Sequence, residues 1–161
     1  MSVSGTSNTN TPQACKPSVL RAMIRSGQHT QHTSGWCNGY VQCNVVILPK
    51  SWADEFLQFC QLNPKPCPII AMSSNPGDTG IPQIGPDFDI RSDVPMYRIW
   101  RNGELVNEVD DISHVWQQDL VTFLLGCSFS FEEALIADGL EVRNITQGSN
   151  VPMYNTNIAC K

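Results

Sequence analysis

The 161-residue sequence predicts an α/β domain in which a mixed β-sheet is flanked by helices and one β-hairpin is attached. Three observations lead there. Apolar runs of strand length alternate with segments that repeat apolar residues at helical spacing. Asn102-Gly103 separates two strand-like runs, 96–101 and 104–109, and both turn positions accept the positive φ that a two-residue hairpin requires. Hydrophobic residues make up 41% of the chain and charged residues 16%, a balance that supports a packed core rather than a disordered polymer.

The elements follow in order. Residues 1–17 are polar and lack both the basic start and the apolar stretch of a secretory signal, and the first arginine is Arg21, so they read as a disordered leader. A short helix is expected over 18–26, capped by Ser18 and stopped by Gly27. Residues 27–39 form a polar loop. A strand over 40–48 ends in Val45-Val46-Ile47-Leu48, a run suited to burial on both faces, with Gln42 and Asn44 as polar interruptions. After Pro49, Ser51 and Asp54 have capping-box spacing, and Trp52, Phe56, Phe59 and Cys60 recur along one helical face expected to point at the core. Asn63 is expected to cap the end of that helix, and Ile69, Ile70 and Met72 begin a second strand.

Residues 73–95 are rich in proline, glycine and aspartate and show no periodicity; a loop that long is usually functional or a linker. Beyond the hairpin, Asp110 or Asp111 can cap a helix running to about Leu125, with Val115, Trp116, Leu120, Phe123 and Leu124 as its apolar face. Ser130 and Glu133 have capping-box spacing for a further helix that Gly139 ends, with Phe129 and Phe131 in the core. Residues 140–145 then read as a strand.

Composition excludes several roles. The net charge is −5 and no basic stripe exists, which leaves nucleic-acid binding without electrostatic support. No apolar stretch reaches membrane-spanning length; the longest, from Leu120 to Leu125, is short and broken by Thr122. The seven cysteines are odd in number and contain no CxxC pair, so they read as free thiols of a reducing intracellular compartment, the cytoplasm or the mitochondrial matrix. Their spacing fits no usual structural zinc site. His29, His32 and His114 stand apart, and Asn144-Ile-Thr146 fits a glycosylation acceptor that no secretory signal supports.

A set of phrases resembles the D-glutamate cyclase family, the hydro-lyase group: Gly39-Tyr-Val-Gln-Cys-Asn44, Ile47-Leu-Pro-Lys50, Phe59-Cys-Gln-Leu-Asn-Pro-Lys-Pro-Cys-Pro68, Asp89-Ile-Arg-Ser-Asp93, Trp116-Gln-Gln-Asp-Leu-Val121, Gly126-Cys-Ser-Phe-Ser-Phe-Glu-Glu-Ala-Leu135 and Asn150-Val-Pro-Met-Tyr-Asn-Thr-Asn157. They run in order through nearly the whole chain. The resemblance implies that 18–161 is the N-terminal part of a cyclase-like domain, since members of the family continue past the position of Cys160. It implies conversion of D-glutamate to 5-oxo-D-proline and water, with an amino dicarboxylate as substrate and no metal or nucleotide cofactor; a homo-oligomer is compatible with it.

That chemistry requires a base to free the α-amine, an acid to help water leave, donors for the developing oxyanion and a cation for the α-carboxylate. The segment from Gly126 to Glu133 joins two elements and offers several of these. Amides near Ser130 can form a carboxylate site at a helix start. Ser128 can donate a hydrogen bond, Cys127 can act as a thiol of lowered pKa, and Glu132 can act as acid or base. Tyr154 can donate a proton. Arg91, Asn44, Ser130 and Asn157 are the expected substrate-binding residues, with Arg25 as a second cation. Plainer readings stand beside these: capping explains Ser130 and Glu133, a small buried hydrophobe explains Cys127, an Arg91–Asp93 loop tether explains Arg91, and a helix-end charge explains Arg25. The functional alternative to an enzyme is a truncated, non-catalytic module that binds a small molecule or a partner.

Overall fold

The computed structural model describes residues 11–149 and 157–159. A short 3₁₀ turn, Pro12–Ala14, leads into helix α1, Pro17–Arg25. Pro17 takes the first helical position, where its missing N–H costs nothing, and Lys16 rather than Ser18 is the residue that precedes the helix. Gly27 ends α1 at φ 71°, a left-handed conformation that suits glycine. Leu20 and Ile24 lie one turn apart and bury against Cys15 and Cys37, with Trp36 packed alongside.

Strand β1, Cys43–Pro49, runs directly into helix α2, Lys50–Leu62, and strand β2, Ile69–Met72, follows. Strands β3, Tyr97–Arg101, and β4, Glu104–Val109, form the hairpin, and β5, Leu120–Gly126, precedes helix α3, Phe129–Ala137, and the short helix α4, Arg143–Thr146. The α/β class and the Asn102-Gly103 turn are both present, with φ 51° and 81° at the two turn residues. The strands divide into a three-stranded sheet of order β1-β5-β2 and the two-stranded hairpin. Each pairing is antiparallel: Val45 faces Leu124 and Val46 faces Phe123 across β1 and β5, while Met72 faces Phe123 across β2 and β5. β1 and β2 therefore point the same way on either side of β5.

Two apolar layers cover the two faces of this sheet. On one face Phe123 and Val121 meet Ala53, Phe56 and Leu57 of α2, with the Phe56 and Phe123 rings edge-on at 5.1 Å. On the other face Leu124 meets Ile81 and Ile90 from the long segment 73–95, with Trp116 beside them. That segment has no helix or strand, as its composition predicts, and it acts as the lid of the second layer.

Several expectations need correction. The helix expected from Asp110 or Asp111 to Leu125 is instead a 3₁₀ turn, Ser113–Val115, followed by β5. Its run Leu120-Val-Thr-Phe-Leu-Leu is buried on both faces, and an apolar run with no polar face cannot be told from a helix by its period. The strand expected over 140–145 is not formed: Leu140 and Ile145 are exposed, no strand pairs with them, and a single helical turn takes their place. β1 begins at Cys43, because Tyr40 and Val41 before it are exposed. Trp52 and Phe59 do not face the core, since they lie on the solvent side of α2, whereas Cys60 is fully buried. Phe131 is likewise exposed, while Glu132 beside it is buried. Neither capping box forms. Pro49 stands at the cap of α2 and Ser128 at the cap of α3, both without a side-chain cap bond. Asn63 does cap α2, its side-chain amide donating to the Phe59 carbonyl at 2.8 Å.

Candidate active site

The junction between β5 and α3 is built around Gly126. A Cβ there would stand 3.1 Å from Ile70 Cδ1 and 3.3 Å from Ile70 Cγ1, so a larger residue would have to press the Ile70 side chain of β2 aside by a few tenths of an ångström. Its amide donates to the Pro68 carbonyl at 2.9 Å. The chain then turns, and the backbone of Gln42 anchors the turn. The Gln42 carbonyl accepts from the Cys127 amide at 3.4 Å, from the Cys127 thiol at 3.4 Å and from the Ser130 hydroxyl at 3.2 Å, while the Gln42 amide donates to Ser130 Oγ at 2.9 Å. The Gln42 side chain accepts from Thr33 Oγ1 at 2.7 Å and donates to the Trp36 carbonyl at 3.1 Å, which ties the loop after α1 to the same corner.

Within the corner, Ser128 Oγ donates to Glu132 Oε1 at 2.9 Å, and the Glu132 side chain is buried. The amides of Ser130, Phe131 and Glu132 donate inward, to the carbonyls of Cys127 and Ser128, at 3.3, 3.0 and 3.1 Å. The carboxylate-binding amides expected at the helix start are therefore engaged by the turn itself, and the Ser130 hydroxyl is engaged by Gln42. Burial pushes the Cys127 thiol up, against a smaller downward pull from the Phe129 and Ser130 amides. The expectation of a lowered Cys127 pKa is thus reversed: desolvation outweighs the helix start.

A groove of about 1270 Å³ separates β1 from the hairpin strand β3, and Gln42, Asn44, Cys127 and Phe129 line it on one side, Tyr97, Arg98 and Arg101 on the other. Of the expected site residues, Asn44 and Cys127 reach this groove, Ser128 and Glu132 pair just behind it, and Ser130 braces it. Arg91 does not line it. Its guanidinium is forked onto Asp89, Nε to Oδ1 at 2.9 Å and Nη2 to Oδ2 at 2.7 Å, and this pairing holds the Asp89 carboxyl below its ordinary range. The expected tether to Asp93 is replaced by this one, because Asp93 is taken by α1. Its buried carboxylate accepts from Arg25 Nε, from Arg25 Nη2 at 2.8 Å and from the Asp89 amide at 2.8 Å, with Arg21 Nε 3.7 Å away. Arg25 is consequently neutralised too. Asn157 is exposed, and Tyr154 lies outside the described residues.

Sequence reasoning missed two residues here. Gln42 read as a polar interruption in a strand, and it is the hub of the corner. Arg101 read as a strand end, and it is a cation on the groove wall that makes no hydrogen bond or ion pair with a described residue, whereas Arg98 is paired to Glu108 at 2.7 Å. Its position beside the Asn102-Gly103 turn was the available signal. Among the described residues, no group of three or more histidine, cysteine, aspartate or glutamate side chains could hold a metal, and no helix is long and apolar enough to cross a membrane.

The sequence profile described as D-glutamate cyclase matches residues 121–161, a span that opens on β5 and contains the whole Cys127–Glu132 corner. Over that span the chain is similar to the D-glutamate cyclase family. Proteins described as "Putative hydro-lyase" carry the likeness through the rest of the chain. One from Bradyrhizobium sp. (strain ORS 278) is 62% identical over 128 residues, 80% of this chain and 47% of the relative. One from Rhizobium johnstonii is 52% identical over 154 residues, 96% of this chain and 57% of the relative. One from Bordetella pertussis is 57% identical over 139 residues, 86% of this chain and 50% of the relative. The chain thus spans about half the length of the curated relatives it matches. Among the described residues of that match, the turn between β5 and α3 brings Cys127 to the groove, with Ser128 and Glu132 paired beside it.

Proposed function

We propose that this chain contributes the proton-transfer corner of a hydro-lyase that converts D-glutamate to 5-oxo-D-proline and water. The observation that carries the reading is the coincidence of the family match with the Ser128–Glu132 pair and the Cys127 thiol at the groove wall. In the reaction the α-ammonium nitrogen gives up two protons and bonds to the side-chain carboxyl carbon, while one carboxyl oxygen takes up two protons and departs as water. The Glu132 carboxylate receives one amine proton by way of the Ser128 hydroxyl and passes it to the departing oxygen, and the other restores the proton that this oxygen takes from Cys127. Cys127 keeps its proton at neutral pH, because burial raises its pKa, and so suits donation to the departing oxygen better than nucleophilic attack. Asn44 offers its amide to a carboxylate in the groove. Ser130 holds the corner to Gln42. Asn157 and Tyr154 remain assigned to substrate contact and proton donation from the sequence alone.

The α-carboxylate needs a cation. Arg91 can serve only if the substrate displaces Asp89 from its fork. Arg101 offers an unshared fork on the groove itself and is the better-placed of the two. Incubation of the purified chain with D- and L-glutamate, followed by chiral chromatography of 5-oxoproline, tests the reading; a D-selective product lost in Glu132→Gln is the expected result.

A second reading is a module that binds the amino dicarboxylate or a partner without turnover. It is favoured by the turn amides and the Arg91 fork being already engaged within the chain, which leaves the corner few free groups for turnover. Calorimetry separates the two: D-glutamate binding without product supports the second, and absence of both binding and product removes both.

A further inference from the structure

The six described cysteines are all free thiols, and two pairs of them are neighbours: Cys15 with Cys37 in one apolar cluster, and Cys60 with Cys67 on one crevice. The pairs differ in access. Cys15 and Cys37 are both buried in the apolar cluster under α1. Cys60 is buried at 1% exposure, but Cys67 is only half-buried, and both line an open crevice of about 310 Å³ between the end of α2 and the start of β2. Local backbone holds them together. The Asn63 amide donates to the Phe59 and Cys60 carbonyls at 3.1 Å, and the Cys67 amide donates back to the Asn63 carbonyl at 3.0 Å. Pro64 and Pro66 stiffen the turn between them, so the chain arrives at β2 already folded against the last turn of α2.

We propose that Cys60 and Cys67 are an oxidisable dithiol, which a peroxide converts to a disulfide that clips the C-terminal end of α2 to the start of β2. Cys67 is the attacking sulfur. Its thiolate bonds to one peroxide oxygen, the O–O bond breaks, and hydroxide leaves a sulfenic acid on Cys67. The Cys60 sulfur then gives up its proton and attacks the Cys67 sulfur, the S–O bond breaks, and a second hydroxide leaves. The two thiol protons convert both hydroxides to water. Two thiols and one hydrogen peroxide thus give one disulfide and two waters, with two electrons passing from sulfur to oxygen. Burial pushes the Cys60 thiol up, which keeps it protonated and assigns the first attack to its more open neighbour. Because both residues line one crevice across a hydrogen-bonded turn, the bond needs side-chain rotation and little backbone movement.

The test uses the intact, fully reduced chain. It is exposed to limiting hydrogen peroxide, blocked with N-ethylmaleimide and digested with trypsin. Lys65 precedes Pro66 and resists cleavage, so the peptide 51–91 carries both cysteines and no other. The expected product is that peptide lighter by two hydrogens and free of maleimide, while the peptides holding Cys15 and Cys37 remain alkylated. Maleimide on both Cys60 and Cys67 after peroxide overturns the proposal, as does sulfinic acid on Cys67 with Cys60 still alkylated. In Cys60→Ser, a dimedone adduct should accumulate on Cys67. In Cys67→Ser, oxidation of Cys60 should slow by about tenfold or more. The mapping of the unaltered chain needs no substitution and decides the matter even if a variant fails to fold.

Discussion

Strand β5 and the β3–β4 hairpin both carry large apolar side chains, yet only β5 is buried. Phe123 is 0% exposed, whereas Trp100 is 58% exposed, and Leu105 and Val106 of the hairpin are exposed as well. The difference lies in what covers each strand. β5 has a strand on either edge, α2 over one face and the segment 73–95 over the other. Among the described residues the hairpin has no third strand, and a two-stranded unit has little independent stability. What fastens it is Tyr97, buried at its base, whose hydroxyl donates to the Ile90 carbonyl and accepts from the Val94 amide at 3.2 Å. Stability and ligand contact are thus divided: β5 and its covers hold the fold, and the hairpin supplies one wall of the groove.

That division can be broken by substitution. The largest loss is expected for Phe123→Ala, about 3–5 kcal/mol in urea denaturation, because the vacated volume lies between two strands and α2. Asp93→Ala should cost about 3 kcal/mol, since it leaves the Arg21 and Arg25 guanidiniums without their buried carboxylate and frees the segment 73–95 from α1. Thr122→Val should stabilise the chain by about 1 kcal/mol: the Thr122 side chain is fully buried and its hydroxyl has no hydrogen-bond partner among the described residues. Trp100→Ala in the hairpin should change stability by less than about 0.5 kcal/mol and act instead on ligand affinity. A Trp100→Ala loss equal to that of Phe123→Ala would end the proposed division.

Titration sharpens the same contrast. Asp89 has a depressed folded pKa through Arg91, so its contribution is present above the unfolded value of about 3.9 and is lost as pH falls through the folded one. Cys43, which packs on the Leu124 side of the sheet, is pushed up to about 11 by burial. Its contribution is present below the unfolded value of about 8.5 and is lost as pH rises toward 11. Alkaline destabilisation should therefore weaken in Cys43→Ala, and acid destabilisation in Asp89→Asn, when midpoints are followed by circular dichroism.

Local chemistry made the hairpin and the long unstructured segment readable, since Asn102-Gly103 and the run of proline and glycine act over a few residues. Burial on both faces hid β5. Its apolar side chains point up and down without a polar partner to mark the alternation, and the spacing of Val115, Trp116, Leu120, Phe123 and Leu124 then imitates a helix. The corner was readable in part. Ser128 and Glu132 stand four apart and meet across one helical turn, as that spacing allows. Ser130 was misread as a cap because its true partner, Gln42, is 88 residues away. The sequence points to Arg91, with Arg25 second, and does not single out Arg101, because the Asp89 fork on Arg91 and the groove beside Arg101 both emerge only from the folded backbone.

The most direct measurement is the formation of 5-oxo-D-proline from D-glutamate by the purified chain, compared with its Glu132→Gln and Arg101→Ala variants. D-selective product, abolished by Glu132→Gln and demanding more substrate in Arg101→Ala, is the expected result. Product that persists unchanged in Glu132→Gln would contradict the assignment of the corner, and the absence of both product and D-glutamate binding in the unaltered chain would contradict the proposed function itself.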